Sequence, residues 1–265
     1  MRPGWDLGPF PPDDLVRLNF SHSAHELSDH LVVLSVAAPV LVQLSNGFDT
    51  AFGNSMLIYA ETYAANQLAG TIVRAIVRRP RPYTHAIDPR IQEFADGQGD
   101  DAYLSFYSGH ASTSHAAATS GAILYSARTN ELWARHVFWG VEYALAGATA
   151  QLRVRAGRNY RTDILAGGII GIGIGTLVPA LHGVELSRVR STEVLVGGGA
   201  LALTYVATEL IDFCDLLDLV GLCELPRDVR VPVQPSSDTR TETFSWAVLP
   251  AAFEAGGGLQ AIGSF

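Results

Sequence analysis

Three short polar segments interrupt an otherwise apolar, helix-prone chain, and they limit its fold more than any other feature. The first is Arg74-Ala-Ile-Val-Arg78-Arg79-Pro80-Arg81-Pro82, and the second is Tyr107-Ser108-Gly109-His110. The third is Arg153-Val-Arg155-Ala-Gly157-Arg158-Asn159-Tyr160-Arg161-Thr162-Asp163. Each lies at a predicted helix border. Pro80 and Pro82 stop a helix, Ser108-Gly109 precedes one, and the Thr162 side chain can cap another. Helix starts carry unpaired N–H groups and the positive end of the dipole, so these borders suit anions.

The charge distribution supports that reading. Of 265 residues 48% are apolar and only 17% charged, which implies an extensively buried interior. The net charge of -8 excludes nonspecific attraction to nucleic acid or an anionic surface. Yet all 18 basic residues are Arg, and eight of them fall in windows 74–81 and 153–161, which contain no acid. Guanidinium clustering of this kind suits bidentate phosphate contacts. No carboxylate cluster accompanies it, so neither a metal nor another cofactor is expected. Cys214 and Cys223 have no His nearby; a disulfide between them is weighed against two free buried thiols.

The pattern predicts a mainly α protein. Residues 1–28 read as an irregular arm, 29–190 as a helical bundle and 191–265 as a small extension with strands packed on the bundle. Helices are expected over 30–44 with Ser28 and Asp29 as caps, over about 54–78, 109–127 and 131–151, and after Thr162. Residues 83–106 read as a long polar loop. Segment 193–208 reads as helix or strand, 224–240 as a Pro-rich linker, and the alternation of Phe244, Trp246 and Val248 as a strand. The apolar run 31–44 is too short to cross a bilayer, and 164–181, with six Gly or Pro residues, fits a buried central helix. With no apolar leader at Met1, the expected location is soluble or periplasmic, with integral membrane as the alternative.

On a helix over 54–78, Arg74 and Arg78 are one turn apart with Arg81 just beyond, so several guanidiniums can meet one anion. Ser108 and Gly109 add backbone donors, and His110 can protonate a departing oxygen. Asp163, four residues after Asn159, is placed to hydrogen-bond and orient that position. The ordered set resembles the type 2 phosphatidic acid phosphatase superfamily, whose pattern is Lys-x6-Arg-Pro, Pro-Ser-Gly-His and Ser-Arg-x5-His-x3-Asp. It maps onto Arg74, Arg81 and Pro82; Ser108, Gly109 and His110; and Arg153, Asn159 and Asp163. The resemblance covers about 30–182. It implies a six-helix core, a third-segment histidine that attacks phosphorus and a second-segment histidine that protonates the leaving group.

Five positions depart from that pattern: Arg74 for Lys, Tyr107 for Pro, Leu152 for Ser, Arg161 for Pro and Asn159 for His. The last matters most, since a neutral amide cannot form a useful phosphoenzyme. It also argues against a haloperoxidase, whose vanadate is bonded through that histidine. His115 points to another helix face and is read as structural; His85 is a weak substitute. His22, His25, His30, His136 and His182 are read as structural or exposed. Three functions follow: a phosphohydrolase with its covalent step lost or mutated, a lyase or cyclase that ionises isoprenoid diphosphates, or a phosphate-binding pseudoenzyme. In each, the partner is a phosphorylated or diphosphorylated small molecule or lipid.

Overall fold

The computed structural model describes Asp13, Val16, residues 19–210 and two strands, 245–251 and 258–264. Among these residues the protein is mainly α. Six long helices form the bundle: α1 (His22–Leu44), α2 (Thr50–Val77), α4 (Gly109–Arg128), α5 (Leu132–Arg155), α6 (Arg161–Leu181) and α7 (Ser191–Leu210). A short helix, α3 (Pro89–Gly97), lies between two 3-10 turns, Pro82–His85 and Gly99–Tyr103. Strands β1 (Ser245–Ala251) and β2 (Gly258–Ser264) pair antiparallel, with Val248 opposite Ala261. Cys214, Cys223 and the 224–240 linker lie outside the described residues.

Helix α4 is the axis of the bundle. Every residue from Ala111 to Ser126 is buried, and α1, α2, α5 and α6 all pack on it. Its sequence explains this: Ala, Ser, Thr and Gly dominate, so neighbours approach its backbone closely. Some of its hydroxyls are satisfied locally, since Ser114 and Thr119 donate to the carbonyls of Ala111 and His115, while Ser120 and Ser126 reach Thr62 and Glu193 on neighbouring helices. His115 is structural, with Nδ1 2.7 Å from the Ala111 carbonyl. The closest partner is α6, whose Gly167, Gly171 and Gly175 face α4 one turn apart. A Cβ at these positions would lie 2.7 Å from the Ser108 carbonyl oxygen, 2.3 Å from that of Ser112 and 2.8 Å from that of Ala116.

Several expectations change here. Helix α1 begins at His22, capped by the Ser21 hydroxyl on the Ala24 amide. Ser28 and Asp29 are therefore inside a helix rather than capping one, and the helical part begins before residue 28. The polar loop 83–106 is largely structured, since Tyr83, Ile91 and Ala102 bury a small core of their own. Tyr160, not Thr162, is the N-cap of α6. Segment 193–208 is helical, and α7 packs on α5, with Gly147 against Leu201 and Arg135 ion-paired to buried Glu193. The helical packing thus continues past residue 190.

The central role given to 164–181 falls to α4 instead. Helix α6 shows Leu165, Ile169, Leu177 and Leu181 to the outside. The same holds for Leu34 and Leu41 on α1, Leu57 and Leu68 on α2, Val137 on α5 and Leu195 and Leu203 on α7. By length and composition, α1 and α6 could each cross a membrane.

The α4–α6 contact gives a paired test. Gly171→Ala should lower the thermal midpoint, by about 1–3 kcal/mol of overpacking, because its Cβ meets backbone. Gly173→Ala, where nothing lies within 4 Å, should leave the midpoint unchanged or raise it. Equal effects in thermal unfolding would refute the close approach.

Candidate functional site

The helix ends gather at one end of the bundle. Gly157 makes this possible at the end of α5. Its φ of +67° is the left-handed region, and a Cβ there would lie 2.1 Å from the Asn19 carbonyl oxygen. After that turn the amides of Arg158 and Asn159 both donate to the Arg153 carbonyl. The amide of Ser108 donates to the Asp163 carbonyl, which ties the start of α4 to the start of α6.

Asn159 is 2% exposed and fully engaged. Its Nδ2 donates to the Ser105 carbonyl at 2.7 Å, and its Oδ1 accepts from Ser108 Oγ at 3.2 Å and Arg153 Nε at 3.4 Å. The expected bond to Asp163 is absent. Asp163 instead accepts from Arg79 Nη1 at 2.6 Å, Ser105 Oγ at 2.5 Å and the Tyr160 amide at 2.8 Å. Arg79 also pairs with Asp13, which accepts from the Thr162 hydroxyl as well. This buried set competes for Asp163, and so the side chain at 159 is held by the Ser105 carbonyl, Ser108 and Arg153 rather than by a carboxylate.

Arg74, Arg81 and Arg153 do come together, and Arg158 joins them. Arg81 binds the Asp101 carboxylate at 2.7 Å and the Arg158 carbonyl at 2.8 Å. Arg158 reaches Asp101 at 3.2 Å and Gln98 at 2.9 Å. The Arg74 guanidinium nests against Gly70 and Gly109 and has no hydrogen bond or ion pair among the described residues. Burial disfavours the Arg81 charge, but Asp101 holds that guanidinium above its ordinary pKa. Arg158 goes the other way, lowered by burial and by the charge of Arg81. The Asp101 carboxyl, against the cost of burial, is held below its usual range by Arg81 and then Arg158.

His110 stands at the first turn of α4 with Nε2 2.7 Å from Asp29 Oδ1. The amides of Gly109 and His110 are first-turn donors without intrahelical partners. Helix α1 therefore forms a wall of the site that the three segments do not include. His25 lies between Arg153 and Arg158, and Ser28 and Asp29 accept from Arg153 Nη1 at 3.3 and 3.2 Å. Leu152 explains this docking, since it packs with Ala24 and Ala156 and seats α1 against α5.

Some expected members stand apart. Arg78 pairs with Asp100 at 3.0 Å, and exposed Arg161 pairs with Glu209 on α7 at 2.9 Å. Tyr107 is buried beside Arg74, and its hydroxyl has no hydrogen-bond partner among the described residues. His22, His136 and His182 pair with Glu26, Thr192 and Glu61 as surface residues. His25, Asp29, Arg158 and Asp101 are the additions. The one advance signal for the first two was their spacing of four, which places them on one helix face, although His25 falls in the expected irregular arm and Asp29 at an expected helix cap.

A family model described as the PAP2 superfamily matches residues 55–185, the stretch that holds all three segments. Neither curated proteins nor solved structures gave a significant match.

Asp101 predicts a pH effect. Its carboxyl is depressed in the folded protein, so its stabilisation is complete above the unfolded value of about 3.9 and is lost as pH falls through the folded value. Its side chain is 42% exposed, so solvent screens part of the effect. Asp101→Asn should thus be less stable than the parent at pH 6, and the gap should narrow as pH approaches 3. A gap that widens on acidification, in denaturant midpoints, would refute this assignment.

Proposed function

The chain belongs to the PAP2 superfamily, and from that premise we propose that it binds the phosphate or diphosphate of a lipid or isoprenoid-type substrate and cleaves it. One observation carries this reading: the site has more positive charge than its own acids neutralise. Among the described residues the four guanidiniums of Arg74, Arg81, Arg153 and Arg158 contact only Asp29 and Asp101 as carboxylates, two acids for four cations. A phosphate dianion supplies the balance. Arg74, the Gly109 and His110 amides and Arg153 Nη2 are the donors left for its oxygens.

His110 is the proton donor in this reading. Asp29 orients it through Nε2, and Nδ1 has no hydrogen bond among the described residues. Donation needs the imidazolium, which burial and then Arg153 oppose and Asp29 favours; a bound dianion shifts that balance toward protonation. Asn159 serves the shape of the site, because its hydrogen bonds link Ser105, Ser108 and Arg153. Its commitment there leaves room for a second reading, in which an allylic diphosphate departs without attack and is held by the same donors.

The large apolar side chains on the outer faces of α1, α2, α5, α6 and α7 exceed what soluble monomers usually expose. They support a reading in which the bundle sits in a lipid bilayer with the site at a polar rim, since on α1 the exposed apolar residues begin at Val33, a turn beyond Asp29. An apolar-tailed substrate fits that setting. The protein should stay in the membrane fraction after an alkaline wash; a monodisperse monomer without detergent would contradict it.

The activity test uses dodecyl phosphate, farnesyl diphosphate and p-nitrophenyl phosphate, with both phosphate and organic products identified. Release of phosphate with the intact alcohol is expected, and His110→Gln should lower kcat by roughly 10²–10⁴-fold. Hydrocarbon with intact inorganic diphosphate would favour the second reading, and no turnover at all would leave a binding protein.

A further inference from the structure

We propose that His25 is the nucleophile of this site, attacking phosphorus from α1 in place of the histidine that Asn159 displaces. The proposal rests on the phosphohydrolase reading above.

The geometry is specific. His25 Nε2 lies 2.6 Å from Arg158 Nη2, and Nδ1 lies 2.9 Å from Arg153 Nη1. A neutral imidazole has one lone pair and one N–H, so it can accept only one of these two approaches. The other sets N–H against N–H. An imidazolium would meet two guanidiniums with two further donors, so the ring is kept as the neutral base, the form that can attack. The shorter contact assigns the lone pair to Nε2 and the proton to Nδ1, on the side where Asp29 Oδ1 lies 3.6 Å away. The conflict at Nδ1 has a simple resolution. A phosphate among these groups would draw both guanidiniums onto its oxygens and leave Nε2 uncovered beside phosphorus.

Asp29 links the two reacting groups. One oxygen, Oδ1, lies 2.7 Å from His110 Nε2 and 3.6 Å from His25 Nδ1. A single carboxylate thus sits beside both rings, one assigned to attack and the other to protonate. His25 is also accessible, with its side chain 20% exposed, whereas Asn159 is buried and committed. The support for His25 is local: Ser28 Oγ donates to the His25 carbonyl at 2.6 Å, and Leu152 seats this turn of α1 against α5.

The chemistry balances in two steps. The Nε2 lone pair forms an N–P bond as the bond from phosphorus to the leaving oxygen breaks, and that oxygen takes its electron pair and a proton from His110. Water then attacks phosphorus, the N–P bond breaks and returns its pair to Nε2, and the water proton passes to His110. The products are the free alcohol and inorganic phosphate, with both histidines restored.

The test uses the full chain in detergent with phosphorus-radiolabelled dodecyl phosphate, quenched during turnover. A base-stable, acid-labile label on the peptide containing His25 is expected. His25→Gln should remove the label and lower kcat by roughly 10³-fold or more, with KM and the binding of inorganic phosphate within about threefold. A merely positioning role would lower phosphate binding as well, because Arg153 and Arg158 would lose their neighbour; that result overturns the proposal. The second variant, His25→Gly, should regain turnover with added imidazole. Phosphate release unaffected by either substitution, or a label on another residue, overturns the role of His25 alone. Absence of phosphate release from the parent protein overturns the hydrolase reading and this proposal with it.

Discussion

The approach of α6 to the backbone of α4 is the constraint on which the site depends. Gly167, Gly171 and Gly175 let the two helices meet at carbonyl oxygens of Ser108, Ser112 and Ala116. At the upper end of that contact the Ser108 amide reaches the Asp163 carbonyl, so the start of one helix is fixed by the start of the other. Any side chain at these glycines would push the helices apart and separate Ser108, Gly109 and His110 from Arg153 and Asn159. A packing requirement deep in the bundle therefore sets the geometry of a polar site at its end.

That site is built on unbalanced charge. Arg79 is matched by Asp13 and Asp163 and acts as a clamp between the first and third segments. The other four guanidiniums share two acids, and Arg81 weakens the charged form of Arg158. Such repulsion costs stability in the empty protein and is relieved when an anion binds, which is how a site of this kind gains affinity from its own strain in charge. Asn159 fits the same logic. A neutral group tolerates four nearby cations, and its amide bridges three parts of the site by ordinary hydrogen bonds.

Much of this was legible in the sequence. The three helix borders, the gathering of Arg74, Arg81 and Arg153 and the helical class follow from proline stops, capping residues and arginine spacing, which are local signals. What was not legible depended on tertiary choice. The partner of Asp163 could not be read from a spacing of four, because Arg79 and Ser105 reach it across 84 and 58 residues. His25 and Asp29 lay in a segment whose helix signal is weak, and only the docking of Leu152 on α1 brings them to Arg153. The outward apolar faces were likewise hidden: glycine-rich 164–181 looked central, yet its glycines meet α4 and its leucines face away.

The most direct measurement is a structure of the full chain with bound vanadate or phosphate. The anion should lie among Arg74, Arg153 and Arg158, within hydrogen-bond distance of the Gly109 and His110 amides, with His25 Nε2 turned toward the central atom. An anion bound elsewhere, or none at saturating concentration with these arginines still paired as before, would contradict the account.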